Sequence, residues 1–572
     1  MMPTDASTAP VLVRRQVDPD VEAQLVAAGI DPLFARLYTA RGVRDAQEAS
    51  LRLSQLPPPG SMKGLPAVVG RLKRALRARE RMLIVADYDA DGATACAVGL
   101  RGLRSMGAEV GFLVPNRFEH GYGLTPEIVE LAARDVPALI ITVDNGIASV
   151  EGVAAARDRG IDVVVTDHHL PGAVLPDTPY IVNPNQPGCP FPGKALAGVG
   201  VMFYVLLALR AALREEGAWS GRTEPDLNAL LDLVAVGTVA DVVALDALNR
   251  RLVEAGLRRV RDGRAHPGVK ALFAVAERRP EYATTYDFAF VLGPRINAAG
   301  RLEDIALGIE CLVTDDEERA AEIAAQLDRL NRDRRSIEAD MRDEADRMIA
   351  AEIRPDQRAI VLMDSAWHQG VIGIVAGRLR ERWHRPAIVF APGNGTELKG
   401  SGRSIPGFHL RDALDLVAKR EPGLIQRFGG HAMAAGLTIT NARFAQFARA
   451  FEAVAEECIS ESMLDRRIDS DGSLPIEAID FENVRRLHRQ VWGQGFPPPL
   501  FDDEFDVLDW RVVGERHVKL RLRRDGRIFD GIRFGTTERP PNPLRAAYRP
   551  SLSEWQGVER VDLVVEHWWA PA

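Results

Sequence analysis

Three acidic clusters stand each directly behind a short apolar run: Asp87-Tyr88-Asp89-Ala90-Asp91-Gly92, Val143-Asp144-Asn145-Gly146 and Thr166-Asp167-His168-His169; Val239-Ala240-Asp241 adds a fourth. Carboxylates and imidazoles brought together from separate strand ends are the donor types that hold a pair of divalent cations, and such a pair is a common device for cleaving phosphate esters. Asp89 and Asp91 are two residues apart, so both side chains face one way if strand geometry persists, and Gly92 allows a sharp turn into a helix. Asp144 is suited to bridging two cations, His168 supplies a nitrogen ligand, and His169 supplies a second imidazole beside the reacting phosphate. Any one cluster by itself reads more readily as a turn or a helix cap. A turn gives no reason for paired histidines beside an aspartate at a third strand end, so together the clusters favour metal-dependent hydrolysis.

The elements that must position these groups are legible in the apolar pattern. Met82 to Ala86, Val110 to Val114, Ala138 to Val143, Val163 to Thr166 and Tyr180 to Val182 are short runs separated by helical stretches, the text of a parallel sheet covered on both faces. In such sheets the ligand crevice lies beyond the carboxyl ends of the strands, where the acidic clusters fall. The segment before Asp241 reads as a buried helix leading into a turn. A long helix is expected over 315–352, with Thr314 and Glu317 at capping-box spacing and an apolar rhythm through Ile323, Leu327, Leu330, Ile337, Met341 and Met348, interrupted at Arg334. At about 1.5 Å per residue it extends roughly 55 Å, enough to bridge two domains.

A second α/β unit starts at Ala359-Ile360-Val361-Leu362-Met363, continues through a helix at Val371 to Arg382 and returns to strand at Pro386 to Phe390. The last hundred residues turn β-rich, with alternating basic and apolar side chains over Arg516 to Arg524. The fold class is therefore α/β: a parallel-sheet domain joined by a long helix to a second α/β domain, followed by a small β-barrel. The expected division is a lead-in over 1–60, a catalytic domain over 61–313, the connecting helix over 314–354, the second domain over 355–465 and the barrel over 466–572.

With 572 residues the chain exceeds one hydrophobic core. A formal net charge of −8 argues against coating nucleic acid through overall charge, yet leaves room for a locally basic groove. The 4 cysteines show no metal-binding or disulfide spacing. The N-terminus has no leader pattern and no segment is a membrane-length apolar run, so a soluble cytoplasmic protein is expected.

The constellation resembles the DHH phosphoesterase superfamily, through the triplet Asp167-His168-His169, and within it the RecJ family of single-strand-specific exonucleases. That resemblance rests on Asp87 to Thr94; Val114-Pro115-Asn116-Arg117-Phe118 with Gly121-Tyr122-Gly123; Gly293-Pro294-Arg295-Ile296-Asn297-Ala298-Ala299-Gly300-Arg301; and Phe428-Gly429-Gly430-His431. It implies a 5′→3′ exonuclease that degrades single-stranded DNA processively to nucleoside 5′-monophosphates with two divalent cations, Mn²⁺ or Mg²⁺. The implied ligands are Asp89, Asp91, Asp144, His168 and Asp241, with Asp87 a further ligand or a supporting group; one cation takes Asp91, Asp144, His168 and Asp241, the other Asp89 and the bridging Asp144.

His169 and Arg295 are the implied catalytic residues, and Arg117, Asn297 and Arg301 the implied contacts to substrate phosphates. The second unit resembles the DHH-associated domain, whose Ser401, Arg403, Gly429, Gly430 and His431 are implied to grip phosphate. The barrel resembles an oligonucleotide-binding fold, with Lys519, Arg521 and Arg523 on one strand face and Phe529 and Phe534 as stacking aromatics. The resemblance further implies a monomer acting in recombination and repair beside a single-strand-binding protein and a helicase. Two rivals share the core: a phosphodiesterase or pyrophosphatase for small substrates, and a catalytically silent DNA-binding scaffold.

Overall fold

The computed structural model describes residues 10–115, 123–352, 357–555 and 558–571. Arg117 and its neighbours, an expected phosphate contact, lie outside the described residues.

Five strands, β1 (Met82–Ala86), β2 (Val110–Leu113), β3 (Leu139–Val143), β4 (Asp162–Thr166) and β5 (Ile181–Val182), form one parallel sheet in the order β2-β1-β3-β4-β5. β1 and β3 are buried at every residue, as their unbroken apolar runs require of strands covered on both faces. Helix α1 (Ala90–Ser105) leaves β1 through the first acidic cluster, α2 (Gly198–Glu215) packs against it, and α3 (Leu231–Ala240) is apolar apart from Asp232 and Thr238 and buried over nearly its whole length. Helix α4 (Gly293–Leu302) continues from a π-helical turn at Phe288–Leu292. None of the helices in the described residues is long and apolar enough to cross a membrane.

Helix α5 (Glu317–Glu352) is a single helix of 36 residues. Its cap is Asp316, whose Oδ1 accepts from the backbone N–H of Glu318 (2.9 Å) and Arg319 (3.2 Å), while Thr314 closes the preceding turn by accepting from Asp316 N–H. The capping-box assignment to Thr314 is thus displaced by two residues, because the nearer carboxylate reaches the first-turn donors better. The interruption at Arg334 is a buried ion pair: Arg334 Nη1 lies 3.0 Å from Glu338 Oε2.

The chain divides into two compact units. One comprises residues 14–331 and 470–572, so the β-barrel belongs with the parallel sheet, a grouping that pattern along the chain does not show. The barrel is closed, β11-β12-β13-β15-β14, from β11 (Phe501–Val513), β12 (His517–Arg524), β13 (Arg527–Phe534), β14 (Leu544–Trp555) and β15 (Val558–Trp569). Phe529 faces the barrel core, whereas Phe534 is exposed beside His517. The basic strand face is partly neutralised by register: Arg521 stands opposite Asp509 and Asp530, and Arg523 pairs with Asp506 at 3.0 Å.

The other unit comprises, among the described residues, 10–13 and those within 332–469. Its mixed sheet runs β9-β10-β8-β7-β6, from β6 (Ile360–Met363), β7 (Ala387–Pro392), β8 (Glu397–Arg403), β9 (Arg427–Gly430) and β10 (Ala434–Thr440), with α6 (Ile372–Trp383) between β6 and β7. Only β6 and β7 pair in parallel.

Candidate metal centre

Register explains why the clusters meet. Ala86 of β1 stands beside Val143 of β3, and Val143 beside Thr166 of β4, so the three strands end at one level and the next residue of each enters the same crevice. Those residues are Asp87, Asp144 and Asp167.

Strand geometry does not persist past Asp87, which corrects the expectation that Asp89 and Asp91 share a face through strand alternation. Asp89 is the N-cap of α1, and its Oδ1 accepts from the N–H groups of Asp91 (2.9 Å) and Gly92 (3.0 Å). Asp91 lies in the first helical turn and its carboxylate accepts from the N-terminal N–H groups of α2, Gly198 at 2.6 Å and Val199 at 2.9 Å. Two helix starts therefore converge on these carboxylates, and exposed N–H groups at a helix start favour negative charge. Asp144 takes a left-handed backbone, φ 61°, uncommon for a residue with a side chain and found where surroundings enforce it. Asn145 helps enforce it, with Nδ2 donating to the carbonyls of Val85 (3.1 Å) and Val143 (2.9 Å). Gly198 is needed for space: a Cβ there would sit 2.6 Å from both Cβ and Oδ1 of Asp144.

The ligand atoms form three overlapping groups, each within 4.8 Å: Asp87, Asp89 and Asp144; Asp91, His168 and Asp241; and Asp144, His168 and His169. His168 Nε2 lies 3.1 Å from Asp144 Oδ1 and 3.5 Å from Asp241 Oδ2. Asp144 and His168 therefore join the groups. The buried atoms Asp87 Oδ1, Asp241 Oδ2 and His168 Nε2 have no hydrogen-bond partner, an arrangement costly for polar atoms unless a cation is what they are shaped to meet. One neutral imidazole amid carboxylates is a donor set for Mg²⁺ or Mn²⁺, not for structural zinc.

Electrostatics agree. Burial, then the neighbouring carboxylates, push Asp87, Asp144 and Asp241 well above the ordinary carboxylate range, and the same causes raise Asp91 to about 7. Burial, then the neighbouring His169, lowers His168 to about 4, keeping its nitrogen available as a ligand at neutral pH. His169 goes the other way: burial is the largest influence and opposes its charge, but the hydrogen bond from Nδ1 to Asp167 Oδ1, 2.8 Å, together with the charges of Asp167, Asp87 and Asp89, outweighs it and raises the imidazole to about 9. Asp167 is the residue whose role the sequence left unassigned. Its Oδ1 also accepts from the N–H groups of His168 (2.7 Å) and His169 (3.1 Å), and Oδ2 from Ile147 N–H (2.9 Å), so it shapes the turn rather than lining the cluster.

The remaining candidates are placed as follows. Arg295 is buried, ion-paired to Asp328 at 2.9 Å and donating to Val291 O at 2.8 Å. Asn297 Oδ1 accepts from Ala90 N–H at 2.8 Å, which puts it at the first acidic turn. Arg301 is half-buried at the end of α4. In the other unit Arg403 Nη1 donates to Ser401 Oγ (3.2 Å) and Gly402 O (2.8 Å), and both side chains crowd Gly373 in the first turn of α6. Gly429, Gly436 and Ser401 stand in one row across β9, β10 and β8, while the His431 N–H donates to Ala434 O at 2.8 Å.

Three family models match in series: the DHH family N-terminal domain over residues 81–238, the DHHA1 domain over 356–461 and the RecJ OB domain over 470–567. The single-stranded-DNA-specific exonuclease RecJ of Salmonella typhimurium is 44% identical over 98% of this chain and 99% of its own, and that of Dickeya dadantii 47% identical over 96% and 98%. This chain belongs to the RecJ family. Among solved structures, Thermus thermophilus RecJ in complex with Mn²⁺ superposes with a TM-score of 0.83 at 30% identity, covering 98% of this chain and 80% of that one. An exonuclease RecJ bound to manganese aligns with a TM-score of 0.60 at 35% identity over 73% of this chain and 99% of that one. The parallel sheet falls within the DHH match, the second α/β unit within the DHHA1 match, and the barrel largely within the RecJ OB match.

Proposed function

We propose that the chain is a metal-dependent 5′→3′ exonuclease that hydrolyses single-stranded DNA processively to nucleoside 5′-monophosphates in recombination and repair. The observation that carries the reading is the convergence of five aspartates and two histidines from four chain segments on one crevice, with buried ligand atoms left without hydrogen-bond partners, in a member of the RecJ family. Asp87, Asp89 and Asp144 hold one divalent cation, Mn²⁺ or Mg²⁺, and Asp91, His168 and Asp241, with Asp144 between, hold the other. When bound, such a pair supplies an activated water and neutralises charge on the phosphate.

The chain's own groups do the rest. Asp167 keeps His169 protonated and oriented, and the partly exposed imidazolium gives its proton to the leaving 3′-oxygen of the terminal nucleotide. Asp91 and the start of α2 hold each other in place, so the ligand geometry is set before substrate arrives. Arg301 binds the substrate backbone. Ser401, Arg403, His431 and the row of glycines bind phosphate in the second unit, where the first turn of α6 adds N–H donors. The complete donor set disfavours a silent scaffold, and the barrel with the full RecJ module order disfavours a dinucleotide hydrolase. A single-strand-binding protein and a helicase are the partners we infer, on family resemblance.

The test is digestion of an oligonucleotide labelled at its 5′ or 3′ end, with Mn²⁺, Mg²⁺ or chelator, beside a blunt duplex and a dinucleotide. Metal-dependent release of the 5′-terminal mononucleotide with the duplex spared is expected. Cleavage of the dinucleotide alone, or of the duplex equally well, would reject the proposal.

A further inference from the structure

The turns that carry the ligands are gripped by three asparagine side chains from other segments. Asn185 Nδ2 donates to the His168 carbonyl at 2.6 Å, and Asn183 Nδ2 donates to the His169 carbonyl at 2.9 Å. Asn183 is fully buried, and its Oδ1 accepts from the Asn185 N–H at 2.7 Å, so the two asparagines are locked to each other as well as to the histidine turn. At the first acidic turn Asn297 Oδ1 accepts from the Ala90 N–H at 2.8 Å, between Asp89 and Asp91. Helix α4 reaches that turn only because residue 300 is glycine: a Cβ there would lie 2.2 Å from the Tyr88 carbonyl oxygen. The chemistry of each partner fixes each amide's orientation, since a carbonyl only accepts and a backbone N–H only donates.

The choice of amides has a physical consequence. The cluster gathers several carboxylates whose mutual repulsion changes with every cation or proton bound. A lysine or arginine at these positions would pair with the carboxylates themselves, and an acid would add to the repulsion. A neutral amide does neither, and its hydrogen bonds to backbone are indifferent to the charge of the cluster. We propose that Asn185 and Asn297, supported by Asn183, are positioning residues that hold the two ligand-bearing turns at cation-binding distance. The inference rests on the metal-centre reading above.

Because Asn185 is needed as a donor and Asn297 as an acceptor, the same isosteric change has opposite effects at the two sites. Asn185→Asp sets a carboxylate oxygen against the His168 carbonyl and breaks the grip; Asn297→Asp keeps an acceptor for Ala90 N–H, whereas Asn297→Leu removes it. Binding is read from the electron paramagnetic resonance signal of free Mn²⁺ during titration of each full-length variant, with far-UV circular dichroism melts to confirm folding. Groups that orient metal ligands are typically worth 10–100-fold in affinity, so Asn185→Asp and Asn297→Leu are expected to weaken Mn²⁺ uptake by about that factor, with Asn297→Asp, which adds a charge but keeps the acceptor, losing less than Asn297→Leu. If Asn185→Asp does not fold, Asn185→Ala, which loses the donor without adding an acceptor, takes its place with the same expected loss. Wild-type affinity in the Asn185 variant, or equal loss in Asn297→Asp and Asn297→Leu, overturns the assignment while leaving the metal centre standing. Absence of Mn²⁺ uptake by the wild type overturns both.

Discussion

At the scale of single residues, the two histidines of one triplet have been given opposite characters by their partners. His168 is kept neutral and His169 is kept protonated, although the rings lie only 4.5 Å apart. A general acid typically contributes 10²–10⁴-fold, so His169→Gln is expected to lower kcat by roughly that factor with little change in KM for single strands. The sign of the pH effect follows from the proton it carries: activity that needs the imidazolium is lost as pH rises through its pKa. That lies at about 9 without cations, and bound cations, being positive, pull it lower. A kcat–pH profile should therefore show an alkaline limb in the wild type that the Gln variant lacks; an unchanged limb would remove His169 from proton transfer. Replacing Asp89 and Asp144 by Ala should abolish cutting while filter binding of single strands persists, and retained cutting would reject the metal mechanism.

At the scale of elements, the centre is assembled by strand ends in register and by the starts of two helices, and a steric demand on Asp144 falls on a residue that is not a ligand. Gly198→Ala is expected to fold, since alanine is a better helix former than glycine, yet to displace Asp144 and cut Mn²⁺ uptake and nuclease activity together. Titration of Mn²⁺ against this variant checks it, and wild-type uptake would show that Asp144 can shift without cost. The convergence of the clusters at 87–91, 144 and 167–169 was legible in the sequence because each directly follows a strand-forming apolar run, so that one rule about strand ends gathers them; Asp241, which follows a helix, lies outside that rule. What was not legible depends on contacts between distant positions. Gly198 meets Asp144, Asn297 meets Ala90 and Asp91 meets the start of α2, and no periodicity announces such pairs. The same holds for Asp232, buried in α3 and hydrogen-bonded to both the backbone and the ring of His266 at 2.7–2.9 Å, which anchors the helix that delivers Asp241. The strand-alternation argument for Asp89 and Asp91 reached a shared site by the wrong geometry, because a helix cap competes with strand continuation wherever Asp precedes a run of helix formers.

At the scale of the whole molecule, the metal centre lies within the unit formed by residues 14–331 and 470–572, so cations should stabilise that unit and leave the unit of 332–469 unchanged. Ligand that binds only the folded state adds RT ln(1 + [L]/Kd), about 2.7 kcal/mol at a hundredfold excess over Kd. The pH dependence is fixed by the raised carboxylates. Asp91, at about 7 when folded, binds a proton more tightly in the folded than in the unfolded chain, so its favourable contribution is complete below the ordinary carboxylate pKa and is lost as pH rises towards 7. Asp87, Asp144 and Asp241 shift in the same direction. Without cations the unit should therefore melt at lower temperature at pH 8 than at pH 5.5, and Mn²⁺ should raise its Tm more at pH 8, where the carboxylates bind it without first losing protons. Scanning calorimetry at both pH values, with Mn²⁺ and with chelator, separates the contributions. A Mn²⁺ shift of equal size at both pH values would mean that the cations do not draw on these buried carboxylates, since cation and proton would then not be competing for the same oxygens.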